Sequence, residues 1–415
     1  MRSCWPSSRK PCLRAGFVTS IPRPHSARPE SIHCAWCSSS GASLSATLGP
    51  PNPWRSSSVR SGPFANSWTS AEWPGKHGGT RMAMGEPGQV RGGVVDAHCH
   101  AASRRFIPRS FVDGGIRNIV AMHEALGVPA HRERLVDRAM ENLEDHDCDE
   151  LVRQMDEAGI EWTVLLLPDF TYCLRDCELT IAEMFELHGR ILERHAGRFQ
   201  VMAGVDPRWG QDALVLFERG LKEYGFRGLK LYPPCGYRAD DRLLYPFYEL
   251  CAEWNVPVLL HMGPTASNLS FEDARPGFVD EPARLFPAVN FILAHAATAY
   301  VDECAMLCAF RPNVYADVSG FQEGSRNPGG QGLSHLLRFG PAHKLLFGTD
   351  WPVFREDARQ AGHLELFLGT AREVLAGPSL KLVMRENAVR LFLPRGPRPS
   401  RPDLTGSAGW AGLPK

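Results

Sequence analysis

From Val94 onward, apolar runs of strand length alternate with amphipathic stretches of helical length, and this rhythm constrains the fold more than any other feature of the sequence. Eight runs can be read, at about 93–100, 162–168, 200–206, 226–232, 256–262, 290–296, 313–318 and 344–350. The helical patterns between them include 147–159 (Leu151, Met155, Ala158), 178–196, 212–224, 242–254 and 299–310, with a last helix over 357–376 and a closing segment over 379–393. Strand and helix in strict alternation describe a parallel sheet covered by helices. Eight such units in about 300 residues predict a (β/α)8 TIM barrel, whose usual size is about 250. The seventh run, Asn313 to Val318, is the least distinct.

Composition divides the chain differently before and after this region. Residues 1–90 are rich in Ser, Pro, Gly, Arg and Trp, carry ten Lys/Arg against three acids, and show no sustained apolar period. Such a stretch cannot build a packed core, so the expectation is a disordered extension, or an over-called start with the protein beginning near Met82 or Met84. Its pair Cys34 and Cys37 lacks the second pair that a zinc site needs. Residues 91–394 are the expected barrel and 395–415 a flexible, basic tail. With both ends positive and a net charge of +0, the body is acidic, which argues against nucleic acid as the main ligand. No apolar run approaches the roughly 18 residues of a membrane span. Twelve cysteines without a small-domain disulfide spacing read as reduced thiols, so a cytoplasmic enzyme is expected.

Five side chains at the ends of apolar runs carry the chemistry: His98 and His100 after the first, His261 after the fifth, His295 after the sixth and Asp350 after the eighth. Parallel barrel strands all finish on one face, so residues far apart in sequence can converge there. Each has an ordinary reading by itself: hydrogen-bonded core histidines for His98 and His100, a satisfied histidine for His261 or His295, a turn or cap for Asp350. Together, imidazoles plus a carboxylate describe a catalytic divalent-metal site. Strand alternation places His98 and His100 on one face, with Asp96 beside them to orient an imidazole and Cys99 opposite. The long connections 101–146 and 263–289 leave strand ends on that same face, where they would wall or cover the pocket.

Residues 91–394 resemble the amidohydrolase superfamily, in its amidohydrolase-related branch of metal-dependent hydrolases and decarboxylases. The resemblance rests on Asp96-Ala97-His98-Cys99-His100, on Gly228 to Pro233, on Pro257 to His261, on Ala294-His295 and on Gly348-Thr349-Asp350-Trp351-Pro352. It implies one divalent ion, zinc or else manganese, held by His98, His100, His261 and Asp350, with His295 beside it as proton shuttle or electrophile. It also offers Lys230 as a carbamate bridging two metals; otherwise this lysine would pair with an acidic substrate or a carboxylate.

The expected function is hydrolysis of an amide, lactone or ester bond of a small molecule by metal-activated water. Asp350 would take and return the proton while His295 polarises the substrate carbonyl. The alternative is non-oxidative decarboxylation on the same fold and site. A third reading, a binding barrel with a structural metal, would need a site closed by four protein ligands. Arg208, Tyr232 and Trp351 are candidate substrate contacts, Arg208 being equally readable as exposed and paired with a loop acid. The remaining histidines, His188 and His363 among them, read as surface residues. Barrels of this branch often pair, so a homodimer is the expected assembly.

Overall fold

The computed structural model describes residues 93–321, 331–353 and 359–393. The expectations for the N-terminal extension, its Cys34 and Cys37, and the tail from 395 lie outside these residues.

Eight strands form one parallel sheet in the order of the sequence. They are β1 (Val94–Cys99), β2 (Ile160–Leu166), β3 (Phe199–Gly204), β4 (Leu229–Leu231), β5 (Val258–Leu260), β6 (Phe291–Leu293), β7 (Val314–Asp317) and β8 (Leu345–Leu346). Backbone bonds from Ala97 N to Phe347 O (2.8 Å), Asp350 N to His98 O (2.8 Å) and His100 N to Trp351 O (2.7 Å) tie β1 to the chain leaving β8. The sheet is therefore a cylinder, the predicted barrel. Its interior is filled by Trp162, Val164, Leu166, Met202, Leu259, Ile292 and Leu346. Phe392, at the end of a C-terminal helix, packs edge-on against Trp162 below them (6.5 Å between ring centroids).

The helices follow from local sequence. Thr180 and Glu183 make a reciprocal capping box at the start of Ile181–Arg194, satisfying two backbone donors that the helix itself cannot. At the other end of such elements, Asn255 adopts φ 53° to close Tyr245–Trp254, a conformation Asn tolerates better than most residues. The connection after β1 contains two helices, Arg109–Ala125 and Arg132–Glu141, which share a small core of Ile116, Val136 and Ala139. The connection after β5 reaches this pair: Ser267 Oγ donates to Gly114 O (2.7 Å), and a Cβ on Gly114 would lie 2.0 Å from Asn268 Oδ1. The two long connections thus meet at the mouth of the barrel.

Some expectations need correction. Helix Gln331–Phe339, between β7 and β8, was not among the helices read from the sequence. Most strands are shorter than their apolar runs, trimmed at one or both ends: the run read over 226–232 gives a strand of Leu229–Leu231 only. His188 and His363 are not surface residues; each is 1% exposed. His188 lies against Phe106 and donates from Nδ1 to Met184 O at 2.8 Å. Burial holds its pKa down to about 4, so it is a neutral core residue. Among the described residues no helix is long and apolar enough to cross a membrane.

Candidate metal centre

A bulge in β1 sets up the site. Asp96 pairs with Thr163 and Cys99 with Leu165, so three steps on β1 span two on β2. Simple alternation therefore fails here. Asp96 does not share a face with the two imidazoles; it accepts from Cys99 Sγ (2.9 Å) and Thr349 Oγ1 (2.6 Å), and also from Thr349 N (3.0 Å) and His98 N (3.1 Å). One buried carboxylate thereby binds the backbone of β1 to the segment that carries Asp350. Gly348 is required at the same junction, since a Cβ there would stand 2.8 Å from His98 Cβ.

Past the bulge, His98 and His100 both aim Nε2 into the barrel mouth, each 3.3 Å from Asp350 Oδ1. Their other ring nitrogens are occupied. His98 Nδ1 donates to Asp317 Oδ2 (2.9 Å) and His100 Nδ1 to Leu166 O (2.7 Å). A carbonyl can only accept, so the proton of neutral His100 belongs on Nδ1 and the Nε2 lone pair is free; Asp317 imposes the same tautomer on His98. His98 Nε2 is fully buried and makes no hydrogen bond of ordinary geometry.

These residues fit a divalent ion. Ligand atoms about 2.0–2.2 Å from one tetrahedral ion lie about 3.4 Å from each other, close to the 3.3 Å seen on both sides of Asp350. Two imidazoles and a carboxylate suit zinc or manganese. His98, His100 and Asp350 form one cluster able to hold a metal; His98, His295 and Asp317 form a second.

The protonation of the metal-free cluster follows from burial and charge. Burial works against the His98 imidazolium, but Asp317 and Asp350 overcome it and hold the pKa up, at about 9. Burial works against the Asp350 carboxylate too, and the charges of His295 and His98 keep it well below the carboxylate range. His100, without a second carboxylate, is lowered by its burial.

Asp317, at the end of β7, was not singled out in the sequence. It receives His98 Nδ1 on Oδ2, and on Oδ1 the backbone N–H groups of His295 (3.1 Å) and Ser319 (3.1 Å) and the Ser319 hydroxyl. Burial raises its pKa, but His98 and the other donors outweigh that and bring it to about 2. With its hydrogen given to Asp317, the Ser319 hydroxyl accepts from His295 Nδ1 at 2.9 Å. His295 Nε2 then faces His261 Nδ1 at 3.2 Å. His295 starts a run of four non-glycine residues at positive φ, His295 to Thr298, a costly backbone directly after β6.

His261 stands at the same mouth but does not join either ligand cluster. Its Nε2 lies 3.0 Å from Pro264 O, its Nδ1 faces His295, and its ring stacks on Tyr232 (4.2 Å, 20°). The Tyr232 hydroxyl lies 3.0 Å from Thr265 Oγ1. Lys230 is 1% exposed, and its Nζ has no hydrogen-bond partner among the described residues. Burial lowers its pKa to about 8, against the pull of Asp317 and Asp350.

Two sequence candidates have other engagements. Arg208 is half-buried and grips Asp206 through Nε–Oδ1 (2.8 Å) and Nη2–Oδ2 (2.5 Å), beneath the Tyr172 ring. It is the loop-acid pair rather than a free seat for a substrate carboxylate. Trp351 is 0% exposed and belongs to the large apolar cluster that also holds Cys99 and Leu165, so its side chain is part of the core.

Comparison with known proteins agrees with this architecture. The sequence model of the family described as Amidohydrolase matches residues 95–393. Among solved structures, an uncharacterised TIM-barrel protein from Bordetella bronchiseptica is similar over 72% of this chain and 97% of its own, at 20% identity and a TM-score of 0.52. A dihydroxybenzoic acid decarboxylase from Polaromonas sp. JS666, with bound manganese, is similar over 72% and 96% (20% identity, TM-score 0.49). A 4-oxalomesaconate hydratase from Rhodopseudomonas palustris covers 72% and 95% (18% identity, TM-score 0.48). The first of these is a likeness of fold alone. Comparison with curated proteins yields no match.

Proposed function

This chain belongs to the amidohydrolase family, and we propose that within it the protein is a metal-dependent hydrolase of an amide, lactone or ester bond in a small acidic molecule. The observation that carries the proposal is the pair of imidazoles whose Nδ1 atoms are engaged by Asp317 and Leu166 O while both Nε2 atoms converge on Asp350 Oδ1. A divalent ion held there by His98, His100 and Asp350 would supply Lewis acidity and bring a water's pKa towards 7.

The chain's own groups do the rest. Asp350 Oδ1 faces both ligand imidazoles, and Oδ2 lies 3.9 Å from His295 Nδ1. Asp350 can therefore take a proton from water with one oxygen, and His295 stands next to it to pass a proton to the leaving group. Asp317 and Ser319 fix the His295 ring for that exchange. Lys230 is a buried amine with no hydrogen-bond partner among the described residues, so an anionic group on the substrate would offset the cost of its burial. That is the reason for an acidic substrate. His261 and Tyr232 form the adjoining wall, from which His261 could turn to the ion as a further ligand.

Lys230 also favours a second reading, a non-oxidative decarboxylase in which the lysine and the ion seat the carboxylate that is lost. The test is a panel of lactones, esters and amides bearing a carboxylate, beside aromatic and enoic acids, given to zinc- or manganese-loaded protein. Incorporation of ¹⁸O from labelled water into the product without CO₂ supports the hydrolase. CO₂ release without ¹⁸O incorporation supports the lyase, and metal-loaded protein inert to the whole panel would count against both.

A further inference from the structure

Cys173 and Cys235 are 62 positions apart in sequence, yet their sulfurs lie 3.0 Å apart. Cys173 belongs to the connection after β2. Cys235 ends the 3-10 turn Pro233–Cys235 that follows β4. Both therefore stand on the barrel face that carries the metal centre. The two thiols differ in access: Cys173 is half-buried, and Cys235 is buried at 6% exposure. Neither lies in a strand, and the sulfurs need to approach by only about an ångström to reach the length of a disulfide bond.

We propose that Cys173 and Cys235 form a reversible redox modification site, oxidised by a hydroperoxide to a disulfide that staples the β2 and β4 connections across the mouth of the barrel. Cys173, the accessible thiol, attacks one peroxide oxygen as its thiolate and becomes a sulfenic acid, releasing the alcohol or water. Cys235 then attacks the Cys173 sulfur, and hydroxide leaves as water after taking the Cys235 proton. Two thiols lose two electrons and two protons; the peroxide is reduced to an alcohol (or water) and one further water.

The surroundings suit this order of events. The hydrogen bond shared with Cys235 lowers the Cys173 thiol from its ordinary pKa, against its partial burial and the Asp206 and Asp169 charges and with a smaller contribution from the Arg208 guanidinium. Arg208 also donates to Cys235 O at 2.9 Å, fixing the turn that presents the second thiol. Cys177 is the nearest competitor in sequence, but burial pushes its thiol up to about 12, and its Sγ donates to Leu174 O at 3.4 Å. The staple would restrain a working wall. Phe170, three residues before Cys173, packs on Tyr232 at 4.9 Å, and Tyr232 stacks on His261.

The test uses full-chain protein treated with stoichiometric hydrogen peroxide, quenched by alkylation and followed by intact mass and peptide mapping. Two fewer alkyl groups per chain than in the unoxidised control alkylated in the same way, a linked peptide joining Cys173 to Cys235, and reversal by dithiothreitol are expected. Cys177→Ser should still form the link; Cys173→Ser and Cys235→Ser should not. Oxidation in urea should scatter the links among many cysteines. A sulfinic acid on Cys173 without a link, a Cys173–Cys177 link, or complete alkylation of both thiols in the folded protein would each overturn the proposal, whatever reaction the metal centre catalyses.

Discussion

The Asp317 carboxylate meets His98 Nδ1 at 2.9 Å, on the edge of the ring opposite the one that faces Asp350. With an ion held by His98, His100 and Asp350, Asp317 would act on it through His98, fixing ring angle and tautomer. Removing such a partner usually costs about 10–100-fold in metal affinity. Asp317→Ala should weaken zinc binding by that order in a competition titration with a chromophoric chelator, while the fold persists. Unchanged affinity would mean that His98 needs no such support.

The same contact sets a pH dependence. His98 has a folded pKa of about 9 in the metal-free protein, so at pH 7 it carries a proton that an incoming ion must displace. Metal affinity should rise about tenfold per pH unit up to about 9 and then flatten, provided no other ligand titrates in that window. Titration calorimetry in buffers of different ionisation enthalpy should count about one proton released at pH 7. For stability the sign is the reverse: a raised folded pKa gives stabilisation that is complete below about 6.5 and lost as pH rises through about 9.

Lys230 contributes with the opposite slope. Its pKa is lowered from 10.5 to about 8, so the burial penalty on the charged form is complete below about 8 and vanishes as pH approaches 10.5. Lys230→Met should stabilise the metal-free protein at pH 7, by up to about 3 kcal/mol, and the gain should shrink towards pH 10.5. Urea unfolding at the two pH values measures both. A destabilised Met variant at pH 7 would show that the lysine has a partner the structure does not reveal.

Gly348→Ala would place a methyl group 2.8 Å from His98 Cβ. Overpacking at a closed junction costs about 1–3 kcal/mol, and here the displaced side chain is one of the proposed ligands. Thermal unfolding and metal content should fall together, whereas Gly369→Ala, with nothing within 4 Å of its new Cβ, should leave both intact.

Much of the fold was legible because a parallel barrel writes itself as apolar runs spaced by helices. Runs such as Val256 to Leu260 and Phe291 to Leu293 are buried on both faces and have no polar alternation to confuse them. Helix Gln331–Phe339 was missed because its short apolar stripe follows a Gly- and Pro-rich stretch that reads as loop. Within the site, His98, His100 and Asp350 stood out as polar residues ending apolar runs. Asp317 ends such a run too, but in the least distinct strand, where Asn313 and Tyr315 weaken the pattern. Asp96 was misplaced because strand alternation assumes an unbroken register, and the bulge that moves it is fixed by pairing with β2. Arg208 and Trp351 show a further limit: a residue next to a strand end can face a carboxylate or the outer core, and spacing alone does not distinguish these.

The most direct measurement is metal per chain, by elemental analysis of protein loaded with zinc or manganese and desalted, beside His98→Ala and Asp350→Asn. One equivalent in the native chain, lost in both variants, is the expected result. Two equivalents would bring Lys230 in as a carbamate. An ion retained in full by His98→Ala and Asp350→Asn, or no ion bound by the native chain, would contradict the metal centre assigned to His98, His100 and Asp350.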